Sequence, residues 1–260
     1  MKSSHLKKVL NNLEKQGYSV INNFFPKKKV EKLDNLLSSN KKIKNNPSFH
    51  GGAEMIYNLQ NIDYEFVNFI FNSSINKICK EYFKVGAHHL DEDIYQFDSM
   101  HSRILPGKSK SQNLHIDSRI CGVSPPTHIH FFLYLSDVQE KDGPTQLVPF
   151  SHKIKRFPKV SDKKKAKKIP GKAGTLIVLN SSLWHGSSTK RTNVDRKIIT
   201  LSYSRWHLRQ TFAVPYSLPK NIFKKLNKSQ LRILGFENYP PKNEKNRVKM
   251  RGKLENLIIK

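Results

Sequence analysis

The sequence predicts an α+β domain in which helices come first and a β-barrel or jelly-roll core follows. Three features predict it. Up to residue 84, apolar side chains recur at helical spacing. Beyond it, short alternating runs are separated by Gly, Pro and Asp turns. One of those runs, Thr127 to Leu135, sorts into two unlike faces. His128, His130, Phe132 and Tyr134 fall on one, and Ile129, Phe131, Leu133 and Leu135 on the other, because strand side chains alternate. A polar-aromatic face backed by an aliphatic one suits a barrel wall with a working interior.

The elements follow in order. Leu6, Val9, Leu10 and Leu13 mark a helix over 5–16 that Gly17 ends, and Tyr18 to Ile21 reads as a short strand. Pro26 opens a second helix with Val30, Leu33 and Leu37 on one face. Residues 40–55 are polar and contain Gly, which reads as a loop. Two helices are expected over 62–71 and 74–83, with Asn72-Ser73-Ser74 as stop and N-cap between them. Tyr95, Phe97, Ser99, His101 and Arg103 alternate as in a strand, and Pro106-Gly107 is a turn. A loop leads to a strand around His115, and the Thr127 strand comes next. Gln146 to Pro149 is a short strand after the Asp142-Gly143-Pro144 turn. Residues 151–169 are Lys-rich and read as an exposed, mobile, solvated loop. Thr175 to Leu179 is a buried strand that leads to His185, and Ile198 to Tyr203 is another. A short helix is expected near 219–226, then one that Ser229 caps and Gly235 stops, before a fraying Lys-rich end. Trp184 and Trp206 read as core aromatics.

A chain of 260 residues fits one large domain and is ample to bury a core. No apolar run reaches eighteen residues, and the N-terminus lacks the apolar core of a signal peptide, so no membrane partner is expected. Cys79 and Cys121 give no disulfide framework, which fits a reducing cytoplasm. The net charge of +27 is mostly Lys, spread from end to end beside abundant Asn and Ile. Arg, the better phosphate and base reader, is the minority, so the charge reads as compositional drift and no specific nucleic-acid partner is expected.

The chemistry-bearing stretch is Asn113-Leu114-His115-Ile116-Asp117. On a strand, His115 and Asp117 project from one face and can hold two corners of a metal site. Leu183-Trp184-His185-Gly186-Ser187 offers a third ligand. Two histidines and one carboxylate on one face of an iron leave the opposite face open. Arg196, eleven residues after His185, can clamp an acid.

This pattern resembles the iron(II)/2-oxoglutarate dioxygenases, and within them the phytanoyl-CoA dioxygenase family. LEKQGYSVINNFFPKKKVEKLDNLL is similar to that family's N-terminal helix, Gly-Tyr strand and second helix. FFLYLSDVQEKDGPTQLVPFSHK resembles its strand-loop segment, and GKAGTLIVLNSSLWHGSS its distal-histidine strand. The resemblance runs from about residue 8 to 205. It implies a double-stranded β-helix (jelly-roll, cupin-like) core flanked by N-terminal and C-terminal helices. It implies Fe(II), 2-oxoglutarate and O2 as cofactor and co-substrates, with His115, Asp117 and His185 on the iron. Arg196 would pair with the distal carboxylate of 2-oxoglutarate, Ser187 would help, and Phe132 would line the pocket. Phe150 departs from the Gly that commonly precedes Ser-His, a change expected to affect a turn and not the chemistry. Relatives that install chloride carry Gly or Ala where this chain has Asp117, so the resemblance implies hydroxylation.

The whole chain, 1–260, is then one dioxygenase domain with its core at about 8–210 and a helical extension over 216–260. The expected reaction is hydroxylation of a small organic molecule, with 2-oxoglutarate decarboxylated to succinate. His101, Arg103 and His130 are candidates for touching that substrate. The alternatives are a nucleic-acid- or protein-directed oxygenase, which only the charge favours, and a ligand-binding barrel without activity, which the intact ligand set disfavours.

Overall fold

The computed structural model describes residues 1–40, 43–44, 52–87, 94–238 and 243–245. Helix α1, Ser3–Gln16, buries Val9 and Leu13 and ends at Gly17, whose φ of 86° provides the left-handed cap that helix C-termini favour. Strand β1, Tyr18–Ile21, follows, and Pro26 caps helix α2, Lys27–Ser38, which buries Val30, Leu33 and Leu37. Two more helices, Tyr64–Ile70 and Ser73–Phe83, meet at Asn72. The Asn72 side chain accepts from the amides of Ser74 and Ile75, the N-cap geometry its residue type favours.

The polar stretch expected as a loop over 40–55 contains strand β2, Ile43–Lys44, and the start of β3, Glu54–Tyr57. The order comes from outside: β3 pairs with the long strand β4, Tyr95–Leu105, from Glu54↔Ile104 to Tyr57↔His101. Four residues carry too little alternation to show this in the sequence. The remainder of that stretch, 41–42 and 45–51, lies outside the described residues.

The other strands are β5 His128–Tyr134, β6 Thr145–Leu147, β7 Lys167–Ile169, β8 Leu176–Asn180, β9 His185–Ser187 and β10 Arg196–Arg205. A seven-stranded sheet runs β1-β8-β5-β10-β4-β3-β2 and a three-stranded sheet β7-β6-β9, with every pairing antiparallel. Strand β5 shows how the core divides. Ile129, Phe131, Leu133 and Leu135 join Val9 and Leu13 of α1 and Val30, Leu33 and Leu37 of α2 on the helical side. Phe132 and Tyr134 pack instead with Leu147 of β6 and Ile169 of β7, between the two sheets.

Most of residues 151–169 are exposed, as expected, but the segment carries two helical turns and strand β7 instead of an irregular loop. Ser151 and His152 are buried, and the Ser151 hydroxyl donates to Val148 O at 2.7 Å and accepts from the Trp184 amide at 2.8 Å. Arg156 donates twice to Asp162, at 2.8 and 3.0 Å, and β7 closes one edge of the small sheet. A few bonded side chains order the segment while its lysines stay in water, which an averaged composition hides. Trp206 is 40% exposed, not in the core, because the chain has already left β10 there. The C-terminal helix Lys228–Ile233 is capped by Asn227 and not by Ser229, with Asn227 and Gln230 exchanging side-chain bonds to each other's amides. The short helix expected near 219–226 is Lys220–Phe223, an unexpected one precedes it at Val214–Ser217, and the expected Lys-rich end lies largely outside the described residues. Among the described residues no helix is long and apolar enough to cross a membrane.

Candidate metal centre

His185 opens β9 and faces its neighbour across an isolated antiparallel bridge to His115. The sequence predicts a strand around His115. The chain is extended there, but it pairs only at single residues along the free edge of β9 and then curls. The amides of Asp117 and Ser118 both donate to Ser181 O, each at 3.0 Å, which turns the chain after the bridge. That curl brings the carboxylate back toward both rings. Asp117 Oδ1 lies 3.6 Å from His115 Nε2, and Oδ2 lies 3.3 Å from His185 Nε2. One ligand atom from each of the three residues falls within 4.8 Å of the others, so together they can hold a metal ion.

The rings are prepared for this. His115 Nδ1 sits 3.1 Å from Asn113 O, and His185 Nδ1 sits 2.9 Å from Leu183 O. A carbonyl only accepts, so each Nδ1 carries the proton and each Nε2 keeps a lone pair for a cation. Burial and the neighbouring His185 hold His115 down to about 4, so it is neutral near pH 7. Burial would lower His185, but the Asp117 carboxylate outweighs it and keeps that ring above its ordinary value. Burial would raise Asp117, and His185 with the other two imidazoles keeps it well below the usual carboxylate range.

A cavity of about 1340 Å3 opens beside these residues. It is lined by every residue the sequence singles out: His115, Asp117 and His185, then Arg196, Ser187 and Phe132, then His101, Arg103 and His130. Arg196 is 3% exposed and donates to Thr145 Oγ1 at 3.1 Å, while its Nε has no partner among the described residues. Burial lowers its pKa, opposed by the Tyr134 hydroxyl. A buried guanidinium with no carboxylate beside it among the described residues fits an acid brought by a ligand. Phe132 sets its ring 5.7 Å from that of His185. Burial and the nearby Arg196 lower Arg103 to about 10.

The sequence missed the opposite wall. Tyr57 of β3 places its ring 5.8 Å from both His101 and Phe212. The 208–212 segment lines the cavity too, pinned where Asp98 accepts from the Thr211 amide at 2.8 Å and its hydroxyl at 2.9 Å. Neither is periodic or near the ligand stretch, so no local signal marks them.

The model of the phytanoyl-CoA dioxygenase family matches residues 13–198. Dioxygenase sphC of Aspergillus fumigatus is 26% identical over 182 residues, which cover 66% of this chain and 48% of that protein. Multifunctional dioxygenase prhA of Penicillium brasilianum is 25% identical over 158 residues, covering 55% and 52%. The chain thus spans about half the length of these curated relatives. Among solved structures, HygX from Streptomyces hygroscopicus with nickel and 2-oxoglutarate bound superposes with a TM-score of 0.61 at 18% identity, covering 76% of this chain and 86% of HygX. The epimerase SnoN with Fe3+, alpha ketoglutarate and nogalamycin RO reaches 0.67 at 12% identity, covering 84% and 92%. At such identities these two structures speak for the fold alone.

Proposed function

Because the chain belongs to the phytanoyl-CoA dioxygenase family, we propose that it is an Fe(II)/2-oxoglutarate-dependent dioxygenase that hydroxylates a small organic molecule. The observation that carries this reading is the juxtaposition of His115, Asp117 and His185 with the buried, acid-free Arg196 in one cavity. The two sheets are read as the halves of a double-stranded β-helix, and residues 1–260 as one domain with its core at about 8–210.

The donor set suits the ion. Two imidazoles, each offering Nε2, and a carboxylate would hold Fe(II) and leave positions for co-substrate and oxygen. Iron with 2-oxoglutarate and O2 supplies the oxidation of a C–H bond, with succinate and carbon dioxide formed alongside. The chain's own part is orientation and exclusion of water. The Nδ1 protons held by Asn113 O and Leu183 O keep both imidazoles turned toward the cation. Arg196 receives the distal carboxylate of the co-substrate in its planar fork, and Ser187 lies on the same wall. Phe132 lines the pocket beside His185. Tyr57, His101 and Phe212 form the side on which the substrate docks, with Arg103 and His130 in reach. Asp117 would supply the carboxylate that chloride-installing relatives lack, which favours hydroxylation.

The test is co-binding. Calorimetry with Mn(II) should show one metal site that His185→Ala abolishes, and 2-oxoglutarate binding that requires the metal. Arg196→Lys should keep the metal and weaken 2-oxoglutarate about ten- to a hundredfold, since one charge-assisted bond of about 1.5–3 kcal/mol is lost. Equal affinity in that variant would remove Arg196 from the site. Succinate release stimulated by a substrate library would then identify the acceptor.

A further inference from the structure

His130 lies on β5, an interior strand of the large sheet, and is 6% exposed. Its Nδ1 is 2.6 Å from the hydroxyl of Ser202, its register partner on β10. Its Nε2 lies 3.6 Å from Asp117 Oδ2 and is buried without a hydrogen-bond partner among the described residues. Asp117 therefore has Oδ1 toward His115 and Oδ2 toward both His185 and His130.

The tautomer follows from these neighbours. A hydroxyl can donate or accept, so Ser202 alone leaves the ring undecided. A bare Nε2 lone pair aimed at a carboxylate would be repulsive and would strand a buried acceptor. With Ser202 donating to Nδ1, the proton sits on Nε2 and faces the carboxylate. This is the reverse of the arrangement in His115 and His185, whose Nδ1 atoms donate to carbonyls.

We propose that His130 is a positioning residue, which donates its Nε2 proton to the Asp117 oxygen that is not on the metal and so holds that carboxylate as a one-oxygen ligand. At 3.6 Å the contact is too long for an N–H···O bond, and a small rotation of the carboxylate closes it. Partners that orient ligating carboxylates typically change metal affinity about ten- to a hundredfold. The sequence offers His130 only as a substrate contact or wall residue, because its link to Asp117 spans two distant stretches of chain.

The proposal rests on the metal reading of His115, Asp117 and His185. The full-length chain is titrated with Co(II), following both affinity and the visible d–d spectrum, in wild type, His130→Ala, His130→Gln and Ser202→Ala. His130→Ala should bind about ten- to a hundredfold more weakly, with a spectrum changed toward higher coordination as the carboxylate becomes two-oxygen. His130→Gln, whose amide places a donor near the same point, should recover most of both. Ser202→Ala, which frees the tautomer, should fall between. If His130→Ala does not fold, the Gln and Ser202 variants carry the test: a Gln variant as weak as metal-free controls would make the imidazole itself a ligand and overturn the proposal. Wild-type affinity and spectrum in His130→Ala, or in Ser202→Ala where the former is unfolded, would overturn it as well. A wild-type chain that takes up no Co(II) would instead sink the metal reading beneath it.

Discussion

Phe150 holds φ at +67°, in the left-handed region where a bulky side chain is strained. Its amide donates to Gln16 O at 3.0 Å, and its ring is 61% exposed, so little burial compensates. The sequence flagged this position, because Gly commonly stands there before Ser-His. Strain of order 1–3 kcal/mol is relieved in Phe150→Gly, against roughly 0.5–1 kcal/mol of added chain entropy. The variant should therefore be more stable by about 1 kcal/mol in urea unfolding, with metal affinity unchanged. A less stable variant would mean that the ring packs more usefully than its exposure indicates. The candidate metal ligands were legible for a related reason: His115, Asp117 and His185 sit in short local patterns. His130 is legible only as a substrate contact or wall residue, and Tyr57 and Phe212 not at all, because their neighbours come from distant stretches of chain.

Glu65 joins two helices. On Tyr64–Ile70, it accepts from Lys32 of α2 at 2.8 Å and from Lys29 of the same helix. Those two lysines lower its pKa from 4.5 to about 2. A carboxyl held below its unfolded value stabilises the fold above pH 4.5, and that contribution is lost as pH falls toward 2. Glu65→Gln should thus be less stable than wild type near neutrality, and the difference should close as denaturation is repeated from pH 5 down to about 2. A constant gap would assign the effect to something other than charge. Helices α1 and α2 were legible because apolar spacing alone fixes which face is buried. Strand β3 and the ordered 151–169 segment were not, since the first depends on a register with β4 and the second on Arg156–Asp162.

The chain's formal charge of +27 acts at a distance. Spread lysines make a general field without base readout, which should raise the encounter rate of anions and attract nucleic acid without selectivity. Retardation of a random duplex should appear at about 20 mM salt and vanish by about 150 mM, where released counterions no longer favour binding. Sequence-selective binding that survives the higher salt would revive the nucleic-acid-directed alternative. The overall α+β order was legible from the switch in periodicity after residue 84. The division into a large and a small sheet was not, because β6, β7 and β9 are three residues each.

The bridge between His115 and His185 also makes the centre a clock. The His115 amide donates to His185 O at 2.9 Å and the His185 amide to His115 O at 3.0 Å, a reciprocal pair. Neither proton can leave for deuterium until the two chain segments separate, and a cation shared by the two rings would oppose that separation. Exchange mass spectrometry should therefore show peptides bearing both amides slowing together when metal is added. At free metal a hundred times the dissociation constant, opening that releases the ion should become about a hundredfold rarer. Asp117→Ala should lose most of this response. Deuterium uptake indifferent to metal would mean that the two backbones part without disturbing the ion, and that the strand edge and the centre are mechanically separate.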